Sequence, residues 1–164
     1  VHEVSVVSGP QDHHLADLTP LFEEQFTVSA ASDRMGMRLD GPALDVAHAL
    51  SIPSEPIVRG AVQVAGDGVP TLLMADHQTV GGYPKVCVVA GGMIDGVAQL
   101  SPGSAVRFHA IEPPAAIALA RSRATDVSRL LEEIGRPGQT FAQRLVRENL
   151  IGGVVSTGSD EPQR

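Results

Sequence analysis

Residues 57–75 read IVRGAVQVAGDGVPTLLMA, and this stretch decides the fold. Val62 and Val64 alternate with Ala61 and Gln63, the two-residue period of a strand with two different faces. Gly66-Asp67-Gly68 supplies the residues that a tight chain reversal needs. A return strand is expected over Thr71 to Ala75. The centre of the chain therefore reads as an antiparallel hairpin, and the segments on either side read in the same way.

Toward the N-terminus, residues 34–39 (RMGMRL) alternate, with Met35, Met37 and Leu39 on one face and Arg34, Gly36 and Arg38 on the other. Gly41-Pro42 ends that strand. Residues 25–29 and 2–8 read as strands, and residues 12–25 read as a loop and short helix limited by Pro20. Toward the C-terminus, residues 76–85 form a polar, Gly-rich loop, in which an aromatic before Pro84 favours a cis bond. Val86 to Ala90 is a continuous apolar strand, Met93 to Leu100 a short helix, and Ala105 to Ile111 another strand. Ile117, Ala120, Ala124, Val127, Leu131 and Ile134 recur at helical steps, so a long helix is expected over Pro113–Ile134. A short helix from Thr140 to Leu150 follows, and residues 151–164 read as a disordered tail. About eight closely spaced strands and one long helix predict a mainly-β barrel or sandwich with the helix docked near the C-terminus.

Composition narrows the function classes. The chain has 164 residues, 43% apolar and 19% charged, which is a globular balance with room for one core. Its 17 glycines and 12 prolines argue against an all-helical fold. A net charge of −7 argues against a nucleic-acid partner. No apolar run reaches the ~18 residues of a membrane span. A single cysteine, Cys87, leaves no intrachain disulfide and no cysteine-based zinc cage, and a reducing cytoplasm is the expected compartment. The scattered histidines do not share a metal-binding spacing, so no metal is expected. Cys87 lies in an apolar run and reads as a core residue.

Two segments carry chemistry. Asp76-His77-Gln78-Thr79-Val80-Gly81-Gly82-Tyr83-Pro84-Lys85 places an acid, an imidazole, an amide, a hydroxyl, a phenol and the only lysine within ten residues between two strands. Its glycines let backbone approach a ligand. Ser32-Asp33-Arg34-Met35-Gly36-Met37-Arg38 offers two arginines on one strand face, a pattern suited to clamping a carboxylate, or to pairing at the surface with Asp33 or Asp40.

Ser32 to Pro42, Gly60-Ala61-Val62-Gln63-Val64, Ala75 to Lys85, and Ala98-Gln99-Leu100-Ser101-Pro102-Gly103 occur in one order. In this the chain resembles the biotin-dependent carboxyltransferase family, whose members are called allophanate hydrolase subunit 2, KipA or the C component of 5-oxoprolinase. The resemblance covers roughly residues 26–110. It implies a cyclophilin-like β-barrel, with residues 1–150 as the C-terminal half of the family's domain. It also implies a component of an ATP-dependent 5-oxoprolinase or related carboxyltransferase complex, acting on a small lactam or amide. Expected partners are a KipI-like subunit, the family's N-terminal half and a LamB/YcsF-like subunit. The resemblance assigns no cofactor to the chain itself and allows ATP or carboxybiotin through the complex, and without its partner chains the chain is expected to be inactive. The alternative is a non-catalytic KipA-like module that binds and antagonises a KipI-like histidine-kinase inhibitor. Carried onto matching positions, the resemblance implies Asp76, Tyr83, Lys85 and Arg34 as catalytic residues. Arg38, Gln63, Gln78, Thr79, Gly81 and Gly82 are implied as substrate-binding. Val80 stands where the family commonly has a second threonine.

Overall fold

The computed structural model describes residues 1–46 and 52–135. The expected helix at 140–150 and tail at 151–164 lie outside the described residues. The chain falls into two compact units, Val1–Thr125 and Asp126–Arg164.

The first unit is built from strands β1 (His2–Ser8), β2 (Phe26–Val28), β3 (Gly36–Asp40), β4 (Glu55–Pro56), β5 (Ala61–Val64), β6 (Pro70–Leu73), β7 (Val80–Gly81), β8 (Lys85–Val89) and β9 (Ala105–Ala110). Helices α1 (Thr19–Glu23) and α2 (Ile94–Val97) are short, and α3 (Pro113–Gly135) starts in this unit and ends in the second. Seven strands close a barrel in the order β1-β8-β5-β6-β3-β2-β9. The closing pair β1/β9 is parallel, from His2 opposite Val106 to Val6 opposite Ala110; the other pairs are antiparallel. Closure removes the exposed strand edges that an open sheet would present. The mainly-β barrel with one long C-terminal helix agrees with the reading of the sequence.

The barrel interior is filled by the inward members of each alternation, among them Val4, Val6, Phe26, Leu39, Val62, Val64, Leu72, Val86, Val106 and Phe108. Phe26 and Phe108 meet with ring centroids 6.2 Å apart at a tilt of 54°, a favourable edge-on geometry. The β5–β6 hairpin turns at residues 65–68, where Gly68 takes φ of +72°, a conformation that a side chain disfavours. The other face of β5 and β6 carries Ala61 and Leu73, and Ile57, which follows β4, packs with them in a smaller apolar cluster.

The structure departs from the expected local features at three places. Pro20 sits in the first turn of α1 and starts that helix rather than limiting it, because its missing N–H is one of the groups left free there. The Tyr83–Pro84 bond is trans. Arg34 and Met35 precede β3 and do not belong to it. The Asp33 carboxylate accepts the N–H groups of Gly36 at 2.9 Å and Met35 at 2.8 Å, which forms a turn where the alternating pattern suggested strand. Met35 is consequently exposed while Met37 and Leu39 are buried.

Helix α3 starts on Pro113 and Pro114, which suit a first turn. Its early turns come up to the Gly91-Gly92 corner: a Cβ on Gly91 would lie 3.6 Å from the Ala120 Cβ. None of its residues is buried. In the second unit Arg129 pairs with Asp126 at 2.9 Å on the same helix.

Candidate functional site

On the outer face of the barrel, one residue from each of four adjacent strands falls into a lateral row. Arg38 on β3 stands opposite Thr71 on β6, Thr71 opposite Gln63 on β5, and Gln63 opposite Lys85 on β8. The last step depends on a bulge. Val62 pairs with Cys87 but Gln63 pairs with Lys85, so Val86 is skipped. Val86 and Cys87 therefore both pack into the core, and Lys85 turns to the face that carries Gln63.

Over the Arg38, Thr71 and Gln63 part of this row lies a cavity of about 320 Å³, within the range of small-molecule sites. Its floor is Gly36, Arg38, Thr71, Leu73, Gln63 and Ala65; Ala31, Asp33 and Met35 line it from the turn before β3, and Gln78 and Tyr83 from the 76–84 segment. Gly36 keeps the floor low, since a Cβ there would fall 2.7 Å from the Thr71 methyl. Gln63 is 5% exposed, and its Nε2 has no hydrogen-bond partner among the described residues. Buried amide donors are nearly always satisfied, so this one has a hydrogen bond left to offer.

The charged wall is anchored. The Arg38 guanidinium donates to Asp67 at 3.0 Å, and Asp67 also accepts the Val69 N–H. Arg38 holds the Asp67 carboxyl below its ordinary range, with the Val69 N–H adding to the effect. The bonds from Gly36 and Met35 do the same for Asp33. Arg38 retains donors beyond the one given to Asp67, since a guanidinium has five.

The structure gathers some of the residues expected from the sequence and separates others. Arg38, Gln63, Gln78 and Tyr83 line the one cavity. Gly81 lies directly above Gln63 and Gln78. Thr79 is exposed and contributes its carbonyl, which accepts the Ile57 N–H at 3.1 Å; the Gly82 carbonyl accepts the Ile52 N–H at 2.7 Å. Arg34 and Asp76 pair with each other at 3.3 Å and line a neighbouring cavity of about 480 Å³, together with Arg59. The two-arginine clamp is thus not formed: the Asp33 turn takes Arg34 off the strand, and the arginines pair with Asp76 and Asp67, not with Asp33 or Asp40. Lys85 lines neither cavity; its side chain is 6% exposed and bonds Glu55 at 3.2 Å. Cys87 is buried in the core, which pushes its thiol up to about 12, so it is not a nucleophile at neutral pH.

Thr71, Gln11 and Glu55 did not stand out in the sequence. Thr71 was legible from the alternation Thr71-Leu72, which turns the hydroxyl outward opposite Gln63. Gln11 and Glu55 meet Lys85 across 74 and 30 residues of sequence, and no local pattern signals such a contact.

A family profile described as "Carboxyltransferase domain, subdomain A and B" matches residues 1–110, and the chain belongs to this carboxyltransferase-domain family. It is 39% identical over 100 residues to the C component of 5-oxoprolinase from Haemophilus influenzae, covering 61% of this chain and 32% of that protein. It is 32% identical over 110 residues to the C component of 5-oxoprolinase from Escherichia coli K12, covering 65% and 35%. The chain thus spans about a third of the length of these curated relatives. Its fold is that of part of the urea amidolyase of K. lactis, with a TM-score of 0.72 at 24% identity over 77% of this chain and 8% of that one. No helix among the described residues is long and apolar enough to cross a membrane.

Proposed function

We propose that this chain supplies one wall of the substrate site of a cytoplasmic 5-oxoprolinase-type complex, related to carboxyltransferases and acting on a small lactam or amide. The observation that carries the reading is the unpartnered Gln63 amide in a cavity walled by Arg38. The names of the two curated relatives support the substrate class.

A lactam that bears a carboxylate presents two acceptors. The free donors of Arg38 suit the carboxylate, because a charge-assisted bond to a guanidinium is strong and directional. The Gln63 Nε2–H suits the lactam carbonyl, where it would also stabilise negative charge developing on oxygen. Thr71 lies between them in the row. Tyr83, at the rim and 43% exposed, offers its hydroxyl as a further hydrogen-bonding group for the substrate. Completion of the site falls to a KipI-like subunit and to the rest of the family's domain, with ATP or carboxybiotin chemistry entering through the complex.

The test is consumption of 5-oxoproline by the complex assembled from this chain, a KipI-like subunit and a LamB/YcsF-like subunit. Turnover should require this chain and fall at least tenfold in Gln63→Leu. Equal turnover with the chain omitted would refute the reading.

A further inference from the structure

Glu55 is bonded by two side chains that reach it from the barrel. Lys85 Nζ donates to its Oε2 at 3.2 Å, and Gln11 Nε2 donates to the same oxygen at 2.5 Å. Gln11 is itself fixed to the Lys85 backbone. Its Oε1 accepts the Lys85 N–H at 3.2 Å, and its own N–H donates to the Lys85 carbonyl at 3.3 Å. Gln11 and Lys85 are both buried, whereas the Glu55 side chain is 47% exposed.

Glu55 does not belong to the barrel. It lies on β4, whose only strand partner among the described residues is β7, with Glu55 opposite Gly81 and Pro56 opposite Val80. Backbone bonds from Ile52 to Gly82 and from Ile57 to Thr79 extend the pairing. Residues 52–57 and 79–82 therefore form one small strap. That strap is continuous with Gln78 and Tyr83, the two side chains that wall the cavity from above.

We infer that Glu55 is a positioning residue: by bridging Lys85 and Gln11 it latches the β4–β7 strap to the barrel and sets where Gln78 and Tyr83 stand over the cavity. Lys85 is then the anchor of the latch, and its burial away from the cavity follows from that role. The inference rests on the reading of the cavity as the substrate site. The latch uses charge-assisted bonds, which are about twice as strong as neutral ones. The backbone bonds within the strap and the packing of Ile57 on Ala61 and Leu73 remain when the Glu55 charge is lost, so its loss should loosen the strap while the barrel keeps its structure.

Hydrogen exchange of the full chain, followed by mass spectrometry, tests the latch without reference to any substrate. In Glu55→Gln, exchange across residues 76–84 should quicken at least fivefold while residues 61–64 and 86–89 keep their wild-type rates. Lys85→Met, which removes the buried charge instead of stranding it, should give the same pattern. Unchanged exchange across 76–84 in both variants overturns the inference, and so does acceleration shared equally by the barrel strands. In the assembled complex, Glu55→Gln should raise KM for 5-oxoproline about tenfold with kcat retained, the mark of a displaced wall. A loss of kcat with KM unchanged overturns the positioning role. If the wild-type complex does not consume 5-oxoproline, the substrate reading fails, and the exchange measurement still decides the latch.

Discussion

Gly81 rests on Gln63. A Cβ at position 81 would fall 3.0 Å from Gln63 Nε2 and 2.5 Å from Ile57 Cδ1, so the strap approaches the cavity floor as closely as a bare backbone allows. Both obstructing atoms are side-chain ends, but Ile57 is buried and has little room to give. Gly81→Ala should lift the strap and cost ~1–2 kcal/mol of stability through overpacking. Gly96→Ala is the control, since nothing lies within 4 Å of that position, and it should be neutral or slightly stabilising in its short helix. Urea midpoints of the two variants check this. A Gly81→Ala variant as stable as Gly96→Ala would show that the strap is looser than the structure describes.

Gln63 should show opposite effects on stability and on ligand binding. A buried donor without a partner carries a desolvation cost of about 1–3 kcal/mol that an apolar residue of similar size does not. Gln63→Leu should therefore fold with equal stability, or up to ~1 kcal/mol more, while affinity for 5-oxoproline in the complex falls about tenfold. Paired denaturation and calorimetric titration would settle it. Destabilisation by more than ~1 kcal/mol would mean that the amide already has a partner in solution.

What could be read from the sequence follows the range of the interactions that set each feature. The strand alternations at Ala61–Val64 and at Met37 and Leu39, the hairpin glycines and the apolar period of α3 are local, and the structure carries them at those positions. Its departures arise where a side chain competes with the pattern or where partners are distant. Asp33 caps the N–H groups of Met35 and Gly36 and so removes Arg34 from a strand that its alternation with Gly36 and Arg38 suggested. The bulge at Val86 decides that Lys85 shares a face with Gln63, and it depends on the pairing with β5 rather than on anything within β8. Of the candidate site, Arg38 and Gln63 come together because the barrel sets β3 and β5 on either side of β6, and Gln78 and Tyr83 join them from the segment between β6 and β8. Glu55 and Gln11 were silent because a bridge to Lys85 has no sequence period.

The Asp33 turn gives the acid side of the stability profile a specific contributor. Backbone bonds, first from Gly36 and then from Met35, lower its carboxyl below the ordinary value of 3.8. A carboxyl depressed in the folded state adds stability that is fully present above the unfolded value and is lost as pH falls through the folded one. The turn should therefore be at full strength from about pH 5 upward and weaken progressively below pH 4. Asp33→Asn, which can still accept one N–H, should reduce the loss of stability between pH 4 and 2 relative to wild type. Denaturation midpoints across that window check it, and parallel curves for the two proteins would rule Asp33 out as a contributor.

Cys87 supplies the alkaline counterpart. It is fully buried within the barrel, and burial raises its thiol from 9.0 to about 12. Here the folded value lies above the unfolded one, so the contribution is complete below pH 9 and declines as pH rises toward 12, because the unfolded thiol ionises first. The slope for one such group is about 1.4 kcal/mol per pH unit. Between pH 9 and 10.5, wild type should therefore lose stability faster than Cys87→Ala, by up to about 2 kcal/mol over that interval. The same burial predicts that a thiol reagent at pH 8 labels no group in the native chain and one per chain in denaturant. Rapid labelling of the native protein would place Cys87 at the surface and undo the β5–β8 bulge that turns it inward, and with it the row that brings Gln63 beside Lys85.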